Sequence, residues 1–437
     1  DQLMRIIGNN PAADNAEITA VASGTLPSGK TVIVNADGTV SVVAETSVSE
    51  GTGSPATFDT DITQYFSATF DSTTNKVVAS YKDIGNAQSA TVVVGTVSGT
   101  NISFGTPVST GGNYVDDTSV SYDSANDRIV VAYNTAGSGK AVVGTISGTS
   151  VSFGTQVYFA GSNSAEHITS VYDSSSGKIV ISYKDASSNN YGKSVVGTVS
   201  GTSISFGSPT TFNYNGTTNN ISSTFDSTNN KVVIAYKDGG QSSYGVAIVG
   251  TVSGTSISFG SSVIFESANT DLISLSHDVA QNKVLISYRD NGNSLAGTAK
   301  VATISGTSIS FGSAAIFAAR LYNSVTRSSA YNSKTEKVYL AYADDNTSDR
   351  GTIVPATISG SSVTFGSAVV FETGVTSYPA MIYDSNSFAL VVAYTDQGDS
   401  QQGKGVVYQA GYSTTNLTTE NYIGFANGAA ADTGTAR

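Results

Sequence analysis

One unit of about fifty residues, written seven times, constrains this chain more than any other feature. The segment Gly197 to Gly207 reads GTVSGTSISFG and recurs letter for letter at Gly250 to Gly260. Close variants begin at Gly95, Gly144, Ala302 and Ala356, and the Phe residues of all six copies fall at 104, 153, 206, 259, 311 and 365, a period of 49 to 54 residues. A second marker, aromatic-Asp-Ser followed by Lys and a β-branched run, reads FDSTTNKVVASYKD at Phe70 and YDSSSGKIVISYKD at Tyr172. Further copies start at Tyr122, Phe225, His277, Tyr331 and Tyr383, with Asn332 in place of Asp and Ala389 in place of Lys or Arg.

Each unit reads as four strands. A Ser/Thr/Ala-rich strand ends in the aromatic, a Val/Ile strand ends in Tyr-Lys-Asp, and a hairpin turns on Ser-Gly-Thr. Four antiparallel strands make one blade of a propeller. In the ISF triplet the Ile and Phe stand two apart and share a face, so Ile204 and Phe206 are expected to pack against the neighbouring blade.

A run of repeats can close into a ring or remain an open solenoid with polar caps. The seventh unit has a third strand near Gly405 to Ala410 but no SGTSISFG hairpin after it, and an orphan hairpin, TVIVNADGTVSVV, stands at Thr31 to Val43. The expected fold is therefore all-β, a closed seven-bladed β-propeller with N-terminal strands closing the last blade, because closure removes exposed edges. Residues 1–25 are read as an N-terminal extension, 26–415 as the propeller and 416–437 as a C-terminal extension or linker. The chain begins at Asp1 rather than Met, so either end is expected to be a cut.

Composition narrows the function. Thirty-three acidic against 21 basic side chains give a net charge of −12, which repels a phosphate backbone, so no nucleic acid is expected as partner. There is no Cys, hence no disulfide and no thiolate metal site. No apolar run reaches the roughly 18 residues of a membrane span, and no membrane insertion is expected.

Hairpin order puts the turns between strands 1 and 2 and between strands 3 and 4 on one side of the disc. These turns are nearly constant: DSTTN, DSTNN, DSSSG and Ser-Gly-Thr. The connections on the other side differ from unit to unit, among them DIGNAQSA, DASSNNYGKS, DGGQSSYGVA and DDNTSDRGT. Variable loops on a rigid scaffold commonly make a recognition surface, and that side is the expected binding face.

Asp71, Asp123, Asp173, Asp226, Asp278 and Asp384 each begin a tight turn, and capping of the turn outweighs a metal-ligand reading. A second series, Asp83, Asp185, Asp238, Asp290, Asp344 and Asp396, ends strand 2 on the variable side. These carboxylates are candidates to accept hydrogen bonds from sugar hydroxyls, with loop capping as the stronger reading. Tyr191 and Tyr244 lie inside the same loops, where an aromatic either stacks on a sugar ring or packs the loop. His167 and His277 are the only histidines; His277 occupies the repeated aromatic position and reads as a packing substitute. No metal-ligand spacing, cofactor motif, nucleophile elbow or catalytic carboxylate pair stands out, so no enzyme, metal or cofactor is expected. The repeated turn of sialidase propellers has the form Ser-x-Asp-x-Gly-x-Thr-Trp, and this chain has no Trp.

The combination VVGTVSGTSISFGSP and YDSxxxKVVVSYKD resembles repeat segments of large virion structural proteins, tail fibres especially, in marine bacteriophages. The flanks PAADNAEITAVASGTLPSGKTVIVNADGTVSVV and LTTENYIGFANGAAADTGTA are similar to segments bordering such repeats. The resemblance implies a virion-surface or extracellular component that contacts host-surface glycans or other virion proteins, with a homo-oligomer as a further expectation. Related repeats in secreted bacterial lectins and adhesins supply an alternative, and a propeller hydrolase of glycans supplies a third.

Overall fold

The computed structural model describes residues 20–161, 165–321, 328–417, 422–425 and 435–436. Among them the chain is strand and turn, with two one-turn 3-10 helices at Gly239–Gln241 and Asp345–Thr347. It divides into two compact units, Glu50–Ala410 and a second made of Asp1–Ser49 with Gly411–Arg437. All seven repeats lie in the first.

The third repeat shows the common plan. Glu166–Asp173, Lys178–Asp185, Tyr191–Ser200 and Ser203–Phe206 pair antiparallel in chain order, and Thr210–Asn213 continues the fourth strand along Tyr191–Ser200. The second strand is buried from Ile179 to Asp185, because neighbouring sheets cover both its faces and its sequence IVISY is apolar on both. The fourth strand alternates, with Ile204 buried and Ser203 and Ser205 exposed. Five repeats form separate sheets of this kind, set like propeller blades. The sixth and seventh share the 16-residue strand Val369–Asp384, which ends the sixth and begins the seventh.

Successive sheets meet through a recurring aromatic clasp. Phe212 of the third repeat lies 5.2 Å from Tyr236 of the fourth, centroid to centroid. The same pair recurs as Phe159–Tyr183, Phe265–Tyr288, Phe317–Tyr342 and Phe371–Tyr394, at 5.2–5.4 Å. The expected role of the ISF face holds as well: Ile204 and Phe206 join one apolar cluster with Phe159 and Ala141 of the preceding sheet. Each clasp Phe lies flat over a glycine of its own third strand; a Cβ on Gly192 would come within 2.4 Å of the Phe212 ring. A second close approach sits farther along the fourth strand, where a Cβ on Gly207 would meet the carbonyl oxygen of Thr255, in the next repeat's Ser-Gly-Thr turn, at 2.0 Å.

The hairpin Thr31–Val43, expected to complete the seventh sheet, does something else. Its strands Thr31–Val34 and Val40–Val42 pair with each other and with Tyr422–Phe425, and Val32 and Val40 form a small core with Ala22 and Leu26 in the other unit. The seventh sheet instead takes Gly51–Thr52 and Ala56–Asp59 alongside Gln402–Gln409. The segment GSPATFD at 53–59 has the pattern of GSPTTFN at 207–213, and the physical reason for its choice follows from that pattern. It brings a glycine for the close approach, with Gly53 against the Thr100 carbonyl, and a Phe for the clasp, with Phe58 at 5.4 Å from Tyr81 of the first repeat. The hairpin has no Phe, and its one glycine, Gly38, sits in its turn with nothing close by. The repeat-bearing unit accordingly runs 50–410 where the sequence reading placed 26–415. Most of the expected extensions, 1–19 and the bulk of 418–437, lie outside the described residues.

The clasp predicts that Phe58→Ala, at the contact between the last sheet and the first, costs as much as Phe212→Ala between two interior sheets, about 3–5 kcal/mol each. Urea unfolding of the two variants measures this. A loss below about 1 kcal/mol at Phe58 alone, the size of an ordinary surface effect, would show that the last-to-first contact is not made in solution.

Candidate functional site

The uniform side of the repeats is built of capped turns. Asp71 Oδ1 accepts from the backbone N–H groups of Thr73 and Thr74 at 2.9 and 3.0 Å, Asp226 Oδ1 from Thr228 and Asn229 at 3.1 and 2.9 Å, and Asn332 Oδ1 from Lys334 and Thr335 at 2.8 and 3.2 Å. His277 is buried against one of these turns: Ser227 N–H donates to its Nδ1 at 3.4 Å, and its Nε2 stands 3.1 Å from Asp226 Oδ1. Burial pushes the Asp226 carboxyl up, but hydrogen bonds from His277 and Asn229 outweigh burial and hold it at about 2.

On the variable side the second aspartate series also caps. Asp83 accepts from Asn86 N–H at 3.1 Å, Asp185 from Ser187 at 3.0 Å, Asp238 from Gly240 at 3.0 Å, Asp290 from Gly292 at 2.9 Å, Asp344 from Asn346 at 3.1 Å and Asp396 from Gly398 at 2.9 Å. Five of the six, all but Asp344, are buried. Lys193 and Lys404 add ion pairs to Asp185 and Asp396 at 2.6 and 2.8 Å. Tyr191 and Tyr244 begin third strands and are half-buried; Tyr191 meets the exposed Tyr214 edge-on at 6.0 Å. Asp59, Asp61 and Asp83 bring three carboxylate oxygens within 4.8 Å of one another, and burial together with Asp59 raises the Asp83 carboxyl to about 6. Protein donors already serve this group, with Tyr81 Oη on Asp59 at 2.7 Å and Asp61 N–H on Asp59 at 2.9 Å.

A feature that the repeat pattern did not reveal lies where the first strands converge. In five of them the register with the second strand slips, between Gln64 and Ser67, Glu166 and Thr169, Asn219 and Ser222, Asp271 and Ser274, and Ser377 and Ala380. Inside each bulge one residue takes left-handed backbone angles: Tyr65 at φ 56°, His167 at 51°, Asn220 at 48°, Leu272 at 51° and Tyr378 at 54°. Such a conformation costs a residue with a side chain about 1–3 kcal/mol, and bulges serve to re-aim side chains. Every one of these residues stands six places before the turn aspartate of its repeat, and Asp117 holds that position in the second repeat. The signal in the sequence was the fixed offset from the turn aspartate, at which the side chain differs from repeat to repeat.

Tyr65, Asp117, His167, Asn220 and Leu272 line one cavity of ≈ 530 Å³. Asn134 and Gly137, at the end of a second strand and in the loop after it, also line it, so it opens at the end of the strands that bears the variable loops. Its wall mixes hydroxyls (Ser67, Thr169), an amide (Asn220) and apolar groups (Ile168, Ile273). Around it the basic residue of each Tyr-Lys-Asp or Tyr-Arg-Asp motif is committed to a carboxylate. Lys82 pairs with Asp116 at 3.2 Å, Lys184 with Glu166, Lys237 with Asp271 at 2.8 Å and Arg289 with Asp271 at 3.0 Å. Asp117 Oδ2 accepts from Ile168 N–H at 2.7 Å, and burial raises its carboxyl to about 7. Burial, then the nearby Lys184 charge, lowers the His167 imidazole to about 4, so it is neutral at pH 7. Tyr65 and Tyr378 stack at 5.0 Å beside this wall.

No protein-family model matches the chain, and no curated protein sequence matches it either. Among solved structures it is similar to the BP39L lectin from Burkholderia pseudomallei, with a TM-score of 0.57 at 11% identity over 82% of this chain and 99% of the lectin. It also aligns with AofleA from Arthrobotrys oligospora (TM-score 0.47, 9% identity, 79% and 96% of the two chains). NanB sialidase from Streptococcus pneumoniae, a K499G mutant, aligns at 0.47 and 11% identity over 80% and 68%. The first likeness shows a shared fold; the other two superpose too loosely to argue from.

Asp117 makes stability depend on pH. Its folded-state pKa of about 7 stands above its unfolded value, so the folded state loses stability as pH rises from about 4 to about 7 and loses no more beyond. Asp117→Asn keeps a carbonyl for the Ile168 N–H and removes that loss. It is expected to raise the thermal midpoint at pH 8 and leave it unchanged at pH 4; an equal shift at both values would contradict the assignment.

Proposed function

We propose that the seven repeats close into one seven-bladed ring and that this ring is a non-enzymatic carbohydrate-binding module, with the loop-bearing side as its binding face. Closure is supported by the clasp, which runs from the second repeat to the seventh and returns through Phe58 and Tyr81 to the first. The observation that carries the binding reading is the cavity itself. It opens among the variable loops and combines hydroxyl, amide, carboxylate and apolar groups in one wall, the mixture that meets both the hydroxyls and the C–H faces of a sugar. The fold shared with a lectin agrees with it. Asp83, Asp185, Asp238, Asp290, Asp344 and Asp396 hold the surrounding loops in shape, and Tyr191 and Tyr244 with those loops form the rim.

The resemblance of the repeats to marine bacteriophage virion proteins supports a place on the particle surface, as a tail-fibre or other structural component that meets host-surface glycans and neighbouring virion proteins. A secreted bacterial lectin is the alternative setting for the same module. Co-purification with particles separates the two.

On a glycan array the chain is expected to bind a restricted set of glycans. A variant with the loops 186–190 and 239–243 shortened to two-residue turns should lose or change that set, and neither form should release product from the glycans it binds. Absence of binding by the intact chain to every glycan would end the carbohydrate reading.

A further inference from the structure

We infer that the cavity at the convergence of the first strands is the primary recognition site, that it takes an uncharged, multiply hydroxylated ligand of sugar type, and that the bulge residues Tyr65, His167, Asn220 and Leu272, with Asp117 at the equivalent position, set its specificity. The inference rests on the carbohydrate reading and names the site and ligand class within it.

Three independent observations meet here. The first is backbone geometry. A β-bulge with a left-handed, side-chain-bearing residue recurs at one position in five repeats, on Tyr, His, Asn, Leu and Tyr. Of these types Tyr and Leu seldom adopt that conformation, so residue preference does not explain the recurrence. Bulges of this kind re-aim one side chain each, and four of the five re-aimed residues line the same cavity.

The second is variation. The residue two places after this position is Ser or Thr in the first five repeats, yet the position itself changes from phenol to carboxylate, imidazole, amide and isobutyl. Packing imposes sameness on repeated positions; a position where repeats disagree while the scaffold stays constant is free to serve a ligand.

The third is charge. Asp116, Asp117 and Glu166 line the cavity, and among the described residues that line it there is no Lys or Arg. The basic groups around it all meet carboxylates, Lys82 on Asp116, Lys184 on Glu166, and Lys237 and Arg289 together on Asp271. None of them stands in the wall to meet a ligand carboxylate, sulfate or phosphate. What the wall offers instead is a set of acceptors and two-way hydroxyl and amide groups for ligand hydroxyls, beside Ile168, Leu272 and Ile273 for C–H faces. A volume of ≈ 530 Å³ lies within the range of small-molecule pockets.

The test uses residues whose removal a purely structural role would punish in the opposite sense. Glycine adopts left-handed angles without strain, so Asn220→Gly and His167→Gly should keep or raise the thermal midpoint while deleting a side chain from the wall. The full chain and both variants are titrated calorimetrically with methyl α-glycosides of glucose, galactose, mannose and N-acetylglucosamine, and with 3′-sialyllactose, after the array has shown which glycans the chain binds. The expected result is binding of at least one neutral glycoside, none of sialyllactose, and about a tenfold or greater loss of affinity in each variant at unchanged or higher stability. Array binding that persists unweakened in both variants would overturn the site while leaving the carbohydrate reading intact. Binding of sialyllactose in preference to the neutral glycosides would overturn the ligand class alone. An intact chain that binds no glycan at all overturns the underlying reading, and the inference with it.

Discussion

The structure depends on how closely one sheet's fourth strand approaches the sheet that follows it. Two contacts set that distance: a glycine backbone against the carbonyl of the next Ser-Gly-Thr turn, and a Phe ring against the next repeat's buried Tyr. The first excludes even a methyl group, and the second supplies the apolar area that draws the sheets together. Because both contacts lie toward the outer strands and both are repeated, the angle between successive sheets is repeated too, and the first strands are brought to one place. The cavity is a consequence of that spacing. Where the first repeat departs, with Gly112 lying against Tyr133 in place of a clasp Phe, the aromatic on the receiving sheet is still present and buried.

Much of this was legible in the sequence because it is compulsory. A turn that needs an acceptor for two backbone N–H groups shows Asp at the same place six times and Asn332 at the seventh, and each is found capping as read. The ISF face is legible for the same reason, since only alternate residues of a strand can point at a neighbour. The completing strand was misplaced because the hairpin that the seventh unit lacks was matched to the orphan hairpin at Thr31 to Val43. Thr31 to Val43 alternates well, but GSPATFD holds the glycine and the Phe that the neighbouring sheet requires, and those two residues decide which segment the seventh sheet accepts.

The bulges were not legible, and the cause is instructive. A left-handed residue is ordinarily announced by Gly or Asn, and here it is Tyr, His, Leu or Tyr in four cases of five. The conformation is imposed by the register of the flanking strands, with Gln64 opposite Lys82 and Ser67 opposite Ser80, which leaves two residues to span a gap made for one. Local preference is overridden by pairing on either side. Such strain persists only where the surrounding structure over-determines it, and a sheet held on both faces by clasped neighbours is that kind of surrounding.

This division separates what the repeats hold in common from what each adds. Six aspartates at the ends of second strands are similar because six loops need the same cap, and a carboxylate engaged by its own backbone presents little to a ligand. The bulge residues differ because nothing in the scaffold specifies them. Four of them reach the cavity, each from its own sheet, so exchanging one alters the wall without touching the clasp or the turns. Near-identical units therefore line one cavity with dissimilar side chains, and the residues of the clasp and the turns are not those that vary along its wall.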